Sequence, residues 1–239
     1  MFGVPNSIGI LKKIGKFIKS DKNKKKYKAI ITPPFTLVES YAKNFKNSKI
    51  LIGAQNCYHK DFYSSNTGAV SAFMLKKVNA KYVIIGHSDN RKEGDNNKNL
   101  KEKVLNCLSN NLTVIFCIGE NIYQKKKNLT IQILKNQLKA VLSSKMNANK
   151  LIIAYEPIWS IGTGLIPQKT ELVNISSNIK SILKKLLKVK KLPPVLYGGS
   201  VDDKNIKIFK DLSSIDGFLI GSASKSSKKF IDIIKNYYR

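Results

Sequence analysis

A chain of 239 residues, 42% of them hydrophobic, can bury a full core as one α/β barrel or as two small domains. Its 43 Lys and Arg outnumber 15 Asp and Glu, a formal charge of +28; the lysines are scattered, with no nucleic-acid-binding motif and no interleaved stacking aromatics, which argues against a specific nucleic-acid partner and leaves a diffuse field that draws small anions. Cys57, Cys107 and Cys117 are odd in number and form no C-x-x-C pair, against a zinc site or disulfide framework and for a reducing, cytoplasmic setting; no apolar run approaches membrane-spanning length.

The chain opens with Ile8, Leu11, Ile14 and Ile18 at helical spacing, with lysines on the other face, which predicts a first outer helix. A basic amphipathic start also suits a targeting segment, but no signal-peptide core or small-residue cleavage site is visible. Apolar strand-like runs follow at 28–31, 50–53, 82–85, 112–118, 151–154, 195–197 and 217–220. Helical patterns fill the gaps at 35–45, 69–77, 97–110, 129–144, 169–188, 204–209 and 228–238. Unbroken strand–helix alternation without a linker means one domain, 1–239, with a parallel sheet and helices outside. Spacing alone does not separate a doubly wound sheet from a closed barrel. The polar clusters decide for a (β/α)8 barrel, because each stands just after a strand: Gln55-Asn56, His87-Ser88, Gly119-Glu120, Glu156, Gly198-Gly199-Ser200 and Gly221-Ser222. Seven strands are counted where a closed barrel needs eight.

The most informative stretch runs from Ala154 to Gly164. A buried strand delivers Glu156 to a loop that Pro157 stiffens, Trp159 can pack down, and Gly162 and Gly164 leave as bare backbone. A strand-end carboxylate under a Gly-tipped lid fits a general base working in a site closed against water. His87 stands at the end of another strand, followed by Ser88, Asp89 and Arg91. Gly-rich ends of the last two predicted strands, Gly198-Gly199-Ser200 and Gly221-Ser222, let backbone N–H groups converge as a phosphate cradle. No ligand cluster for a metal and no nucleotide fingerprint is present, so neither metal nor organic cofactor is expected.

Tyr155-Glu156-Pro157-Ile158-Trp159-Ser160-Ile161-Gly162-Thr163-Gly164 closely resembles the catalytic strand and lid of triosephosphate isomerases, and Gly86-His87-Ser88-Asp89-Asn90-Arg91 resembles their histidine segment, with Asp for Glu and Asn for the first Arg. The resemblance implies a TIM barrel, a homodimer, and the interconversion of dihydroxyacetone phosphate and glyceraldehyde 3-phosphate in glycolysis and gluconeogenesis. It makes Glu156 the base and His87 the electrophile, whose imidazole works neutral at a helix N-terminus in that family, a property carried over with the likeness. It gives Gly162, Ser200, Gly221 and Ser222 as phosphate ligands, mainly through backbone amides. Ser88, Asp89 and Cys117 stand behind the catalytic pair. Pro157, Ile158, Trp159, Ser160, Ile161, Thr163 and Gly164 form the lid, and Gln55, Asn56, Thr67 and Gly68 the loop that enters a partner subunit. The family's first strand, ending in Asn-x-Lys, has no counterpart: Met1 aligns just after that lysine. Without the lysine, the alternative reading is an inactive or impaired phosphate-binding barrel.

Overall fold

The computed structural model describes residues 2–61 and 64–238. Seven strands, β1 (Ala29–Ile31), β2 (Ile50–Ala54), β3 (Tyr82–Ile85), β4 (Thr113–Ile118), β5 (Leu151–Tyr155), β6 (Val195–Tyr197) and β7 (Gly217–Phe218), form a parallel sheet in sequence order. Around it run α1 (Ile8–Ser20), α2 (Phe35–Asn44), α3 (Ala72–Lys77), α4 (Ser88–Lys92), α5 (Asn97–Ser109), α6 (Ile122–Lys126), α7 (Thr130–Val141), α8 (Lys169–Leu187) and α9 (Ser227–Tyr238). The expected strands fall within one or two residues of these bounds. Expected helix 204–209 is a 3-10 turn, Ile206–Phe209, and α4 and α6 are short helices that apolar periodicity does not announce.

Side chains alternate across a strand, and the strands use both faces. Val114, Phe116 and Ile118 of β4, with Leu151, Ile153 and Tyr155 of β5, face the helices and join one continuous buried cluster with Leu134, Leu138, Ile175 and Ile179. The opposite residues, Ile84, Ile115, Cys117 and Ala154, form a smaller cluster on the concave face. There Tyr82, Ile152, Leu196 and Leu219 are only half-buried, so the concave side is incompletely filled.

The sheet is best formed in the middle. β4 and β5 pair from Val114↔Leu151 to Ile118↔Tyr155, whereas β6 and β7 share only Leu196↔Gly217 and Tyr197↔Phe218. β1 pairs only with β2, and β7 only with β6, among the described residues. A cavity of about 1670 Å³ opens between them, lined by Ile30 and Phe218 and closed behind by Ile14 of α1 and Ile234 of α9. Tyr238 spans this margin, stacking on Tyr27 at 5.4 Å and donating to the Lys26 carbonyl at 3.2 Å.

Candidate active site

Glu156 is the first residue after β5 and is 4% exposed. Its backbone N–H donates to the Ile118 carbonyl at 2.7 Å, which continues the β4–β5 ladder by one residue and fixes the Cα. Gly119 runs so close beneath that a Cβ there would overlap the Glu156 carbonyl, so the end of β4 requires glycine. Gln137 of α7 clamps Gly119 from outside, donating to its carbonyl and accepting from its N–H, each at 2.9 Å. Cys117 lies buried below, its thiol pKa pushed well up by burial and then by the Glu156 charge.

His87 follows β3 at the N-terminus of α4. Its Nδ1 accepts from the Asp89 backbone N–H at 3.2 Å, so in the neutral ring the hydrogen sits on Nε2, which donates to Glu156 Oε1 at 2.8 Å. Burial pushes the ring toward the neutral form, but the hydrogen bond and charge of Glu156, with Asp89, outweigh it and raise the pKa above the ordinary value. In the unliganded site the carboxylate thus works against the neutral ring that the family resemblance implies. The Asp89 N–H on Nδ1 is the contact that opposes protonation, since a second ring proton would displace it. Asp89 itself turns its carboxylate largely to solvent. The other Glu156 oxygen accepts from the Ser88 N–H at 3.4 Å, long enough to be a weak tether. Arg91 secures the wall behind, donating to the Gly86 carbonyl at 2.8 Å and the Cys117 carbonyl at 2.9 Å.

The lid leaves Pro157, makes a turn over Ile158–Ser160, and returns through Gly162 and Gly164, both with positive φ. Trp159 donates its indole N–H to Glu120 Oε1 at 2.8 Å, and Lys125 lies 3.8 Å over its ring. Glu120 is fully buried; it also accepts from the Tyr155 hydroxyl at 3.1 Å, while its Oε2 has no partner among the described residues. Burial raises its pKa against these hydrogen bonds. At the tip, the Gly164 N–H donates to Ser200 Oγ at 3.2 Å, so the lid lies docked on the loop after β6.

The cavity that opens between β1 and β7 is also lined by Glu156, His87, Gly162, Ser200, Gly221 and Ser222. Gln55 and Asn56 reach its edge, whereas Thr67 and Gly68 are exposed and do not line it. Lys12 and Lys13 point outward from α1. Asn56 is held by Lys103 of α5, 4% exposed, whose ammonium donates to Asn56 Oδ1 at 3.1 Å and to both oxygens of Asp95 at 2.7 Å. Sequence reading did not assign Glu120, Tyr197 or Lys103; the only available signal was that Glu120 and Tyr197 stand at strand ends. Chemically, the site brings a carboxylate and an imidazole N–H into contact at the wall of the cavity, with the backbone of Gly162, Ser200, Gly221 and Ser222 at its rim.

Comparison with known proteins agrees with this geometry. A family model described as triosephosphate isomerase matches residues 6–237. The triosephosphate isomerase of Zygosaccharomyces bailii is 37% identical over 229 residues, covering 95% of this chain and 92% of the relative. That of Cytophaga hutchinsonii is 42% identical over 196 residues, covering 80% and 78%. The crystal structure of the triosephosphate isomerase from Bartonella henselae superposes with a TM-score of 0.89 at 30% identity, over 100% of this chain and 96% of that one. The fold is thus α/β of the TIM type, and the chain belongs to the triosephosphate isomerase family.

Proposed function

We propose that the chain interconverts dihydroxyacetone phosphate and glyceraldehyde 3-phosphate by proton transfer through an enediolate, as a step of glycolysis and gluconeogenesis. The observation that carries this reading is the buried contact of Glu156 Oε1 with the His87 Nε2–H at 2.8 Å, inside a cavity rimmed by Gly162, Ser200, Gly221 and Ser222. A substrate carbonyl oxygen entering this pocket takes over the Nε2–H. Glu156, released from His87 and tethered to Ser88 only weakly, turns its carboxylate to the carbon next to the carbonyl and accepts its proton. His87 then stabilises the developing oxyanion and carries protons between the two oxygens. The amides of Gly162, Gly221 and Ser222 hold the phosphate beside Ser200, whose own N–H is given to Ser160 Oγ, and the docked lid keeps water from the enediolate. Both proton carriers are side chains, so the reading calls for no metal or organic cofactor. A coupled assay in both directions tests it: activity present in the chain should fall about a thousand-fold or more in Glu156→Gln. Retention of more than a tenth of that activity would sink the assignment. The findings do not support the alternative of a barrel that only binds phosphate.

The finer readings belong with this proposal. We read 1–239 as one domain, supported by a single buried cluster that runs from Leu11 to Ile234. The gap between β1 and β7 is read as the place of an eighth parallel strand, whose end would set a cation against the phosphate. Met1, on which the alignment of that strand turns, lies outside the described residues. We read the loop 55–68 as a homodimer contact, with Phe62 and Tyr63 also outside the described residues; the exposure of Thr67 and Gly68 supports this. A cytoplasmic setting is supported by three buried free cysteines. Among the described residues no helix is long and apolar enough to cross a membrane.

A further inference from the structure

The lid tip, Gly162 to Gly164, is exposed, but Ser160 is fully buried. A serine hydroxyl has one hydrogen to give and two lone pairs to accept with. Three groups surround this one: the Leu165 carbonyl at 2.5 Å, the Ser200 N–H at 3.1 Å and the Tyr197 hydroxyl at 3.0 Å. A carbonyl can only accept and an N–H can only donate. The single hydrogen of Ser160 therefore goes to Leu165, and Tyr197 must donate to Ser160. Burial pushes the Tyr197 hydroxyl pKa up to about 12, which keeps it a donor. All three valences of the hydroxyl are then used, joining the start of the lid, its far end and the loop after β6 at one atom. The junction has no spare room, since a Cβ on Gly199 would overlap both the Tyr197 hydroxyl and Ser160 Oγ. Pro167, next but one after Leu165, has no N–H to offer a second tie at that end of the lid.

We propose that Ser160 is a positioning residue, the latch that holds the lid in its docked position against β6. It touches neither proton carrier. Through the lid it places Gly162 on the substrate phosphate and closes the pocket around Glu156, a consequence that rests on the isomerase reading above. The latch itself does not, and the two can fail separately.

Trp159, the only tryptophan, neighbours the latch and reports lid position by its fluorescence. The test uses the full chain as wild type, Ser160→Ala, Tyr197→Phe and the double variant, with two readouts. One is acrylamide quenching of Trp159, with and without saturating inorganic phosphate. The other is the steady-state assay, with KM and kcat determined separately. Ser160→Ala takes their shared partner from the Leu165 carbonyl, the Ser200 N–H and the buried Tyr197 hydroxyl, so the undocked lid gains population. Quenching without phosphate should rise severalfold and return toward wild type with phosphate, while kcat/KM falls about ten- to a hundred-fold, mostly through KM. Tyr197→Phe should shift both readouts in the same direction by less. The double variant should be no worse than Ser160→Ala alone, because the two side chains act through one atom. Wild-type quenching and KM in Ser160→Ala, or additive effects in the double variant, would overturn the latch. If Ser160→Ala does not fold, Tyr197→Phe decides: raised quenching supports the latch and wild-type quenching removes it. If the wild type lacks isomerase activity while quenching responds as described, the isomerase reading fails and the latch stands.

Discussion

The wall made by β3, β4 and β5 and the margin between β7 and β1 are parts of one sheet built to different standards. In the wall, Ile84, Ile115, Cys117 and Ala154 are buried on the concave face beside the half-buried Tyr82 and Ile152, Gly119 admits no side chain, and Gln137, Arg91 and the β4–β5 ladder hold the strand ends. At the margin, β1 has three residues and β7 two, each edge has one strand partner among the described residues, and the concave side chains are half-buried. The proposed proton carriers, Glu156 and His87, stand on the wall, and the proposed phosphate rim reaches toward the margin. Proton transfer demands positioning to a fraction of an ångström, and the packed wall supplies it. Holding a phosphate through backbone amides tolerates looser support, because several donors share one dianion.

The sharpest way to break the wall is Glu156→Gln, the substitution of largest expected effect. Amide for carboxylate keeps the shape and the contact with His87 but removes the proton acceptor. Circular dichroism and phosphate binding should stay near wild type while kcat falls about a thousand-fold or more.

The margin is tested by filling it. Adding an apolar strand that ends in Asn-x-Lys ahead of residue 1 should pair the open edges of β1 and β7 and set an ammonium against the phosphate. A preorganised cation at a developing charge is typically worth about a hundred-fold in rate. The extended protein should also melt several degrees higher, as unpaired edges and half-buried apolar side chains are covered. Equal melting temperature and equal kcat/KM in the two chains would mean the margin needs no strand.

A third variant asks whether the wall depends on the loop beside it. Lys103→Met removes the buried ammonium that joins Asn56 to Asp95 and leaves the Asp95 carboxylate without its partner. Breaking a buried pair from one side typically costs about 3 kcal/mol. Urea denaturation should show a loss of that size, and light scattering should show a weaker dimer if the loop 55–68 is the subunit contact. A stability within 1 kcal/mol of wild type would place the pair outside the support of the site.

The smallest effect concerns pH. Burial raises the Glu120 pKa, so the folded chain binds a proton there more readily than the unfolded chain. Stability from this group is therefore greatest at low pH and declines as pH rises from the ordinary carboxylate value toward the raised one. Glu120→Gln keeps an acceptor for Trp159 and Tyr155 and removes the titration. The wild-type minus variant difference in unfolding free energy should fall as pH rises through that window and be flat above it. A difference independent of pH between 4 and 8 would contradict the assignment.

Much of this molecule is legible in local pattern. Strand positions, most helices, and the placing of Glu156 and His87 at strand ends follow from hydrophobic period and from glycine and proline in the following loops, which are properties of near neighbours. The amphipathic 8–20 segment was legible for the same reason: buried Leu11, Ile14 and Ile18 recur with the helical period. The short helices α4 and α6 escaped because five residues are too few to show a period, and they form on side-chain and backbone caps at His87 and Asn121 instead. What only the tertiary structure decided are the pairs that meet across the sheet. Glu120 meets Tyr155 35 residues away, Ser160 meets Tyr197 at 37, Asn56 meets Lys103 at 47, and Ser88 meets Glu156 at 68. No local pattern encodes these contacts. They depend on how the strands are paired and on where the helices and loops between them are set down.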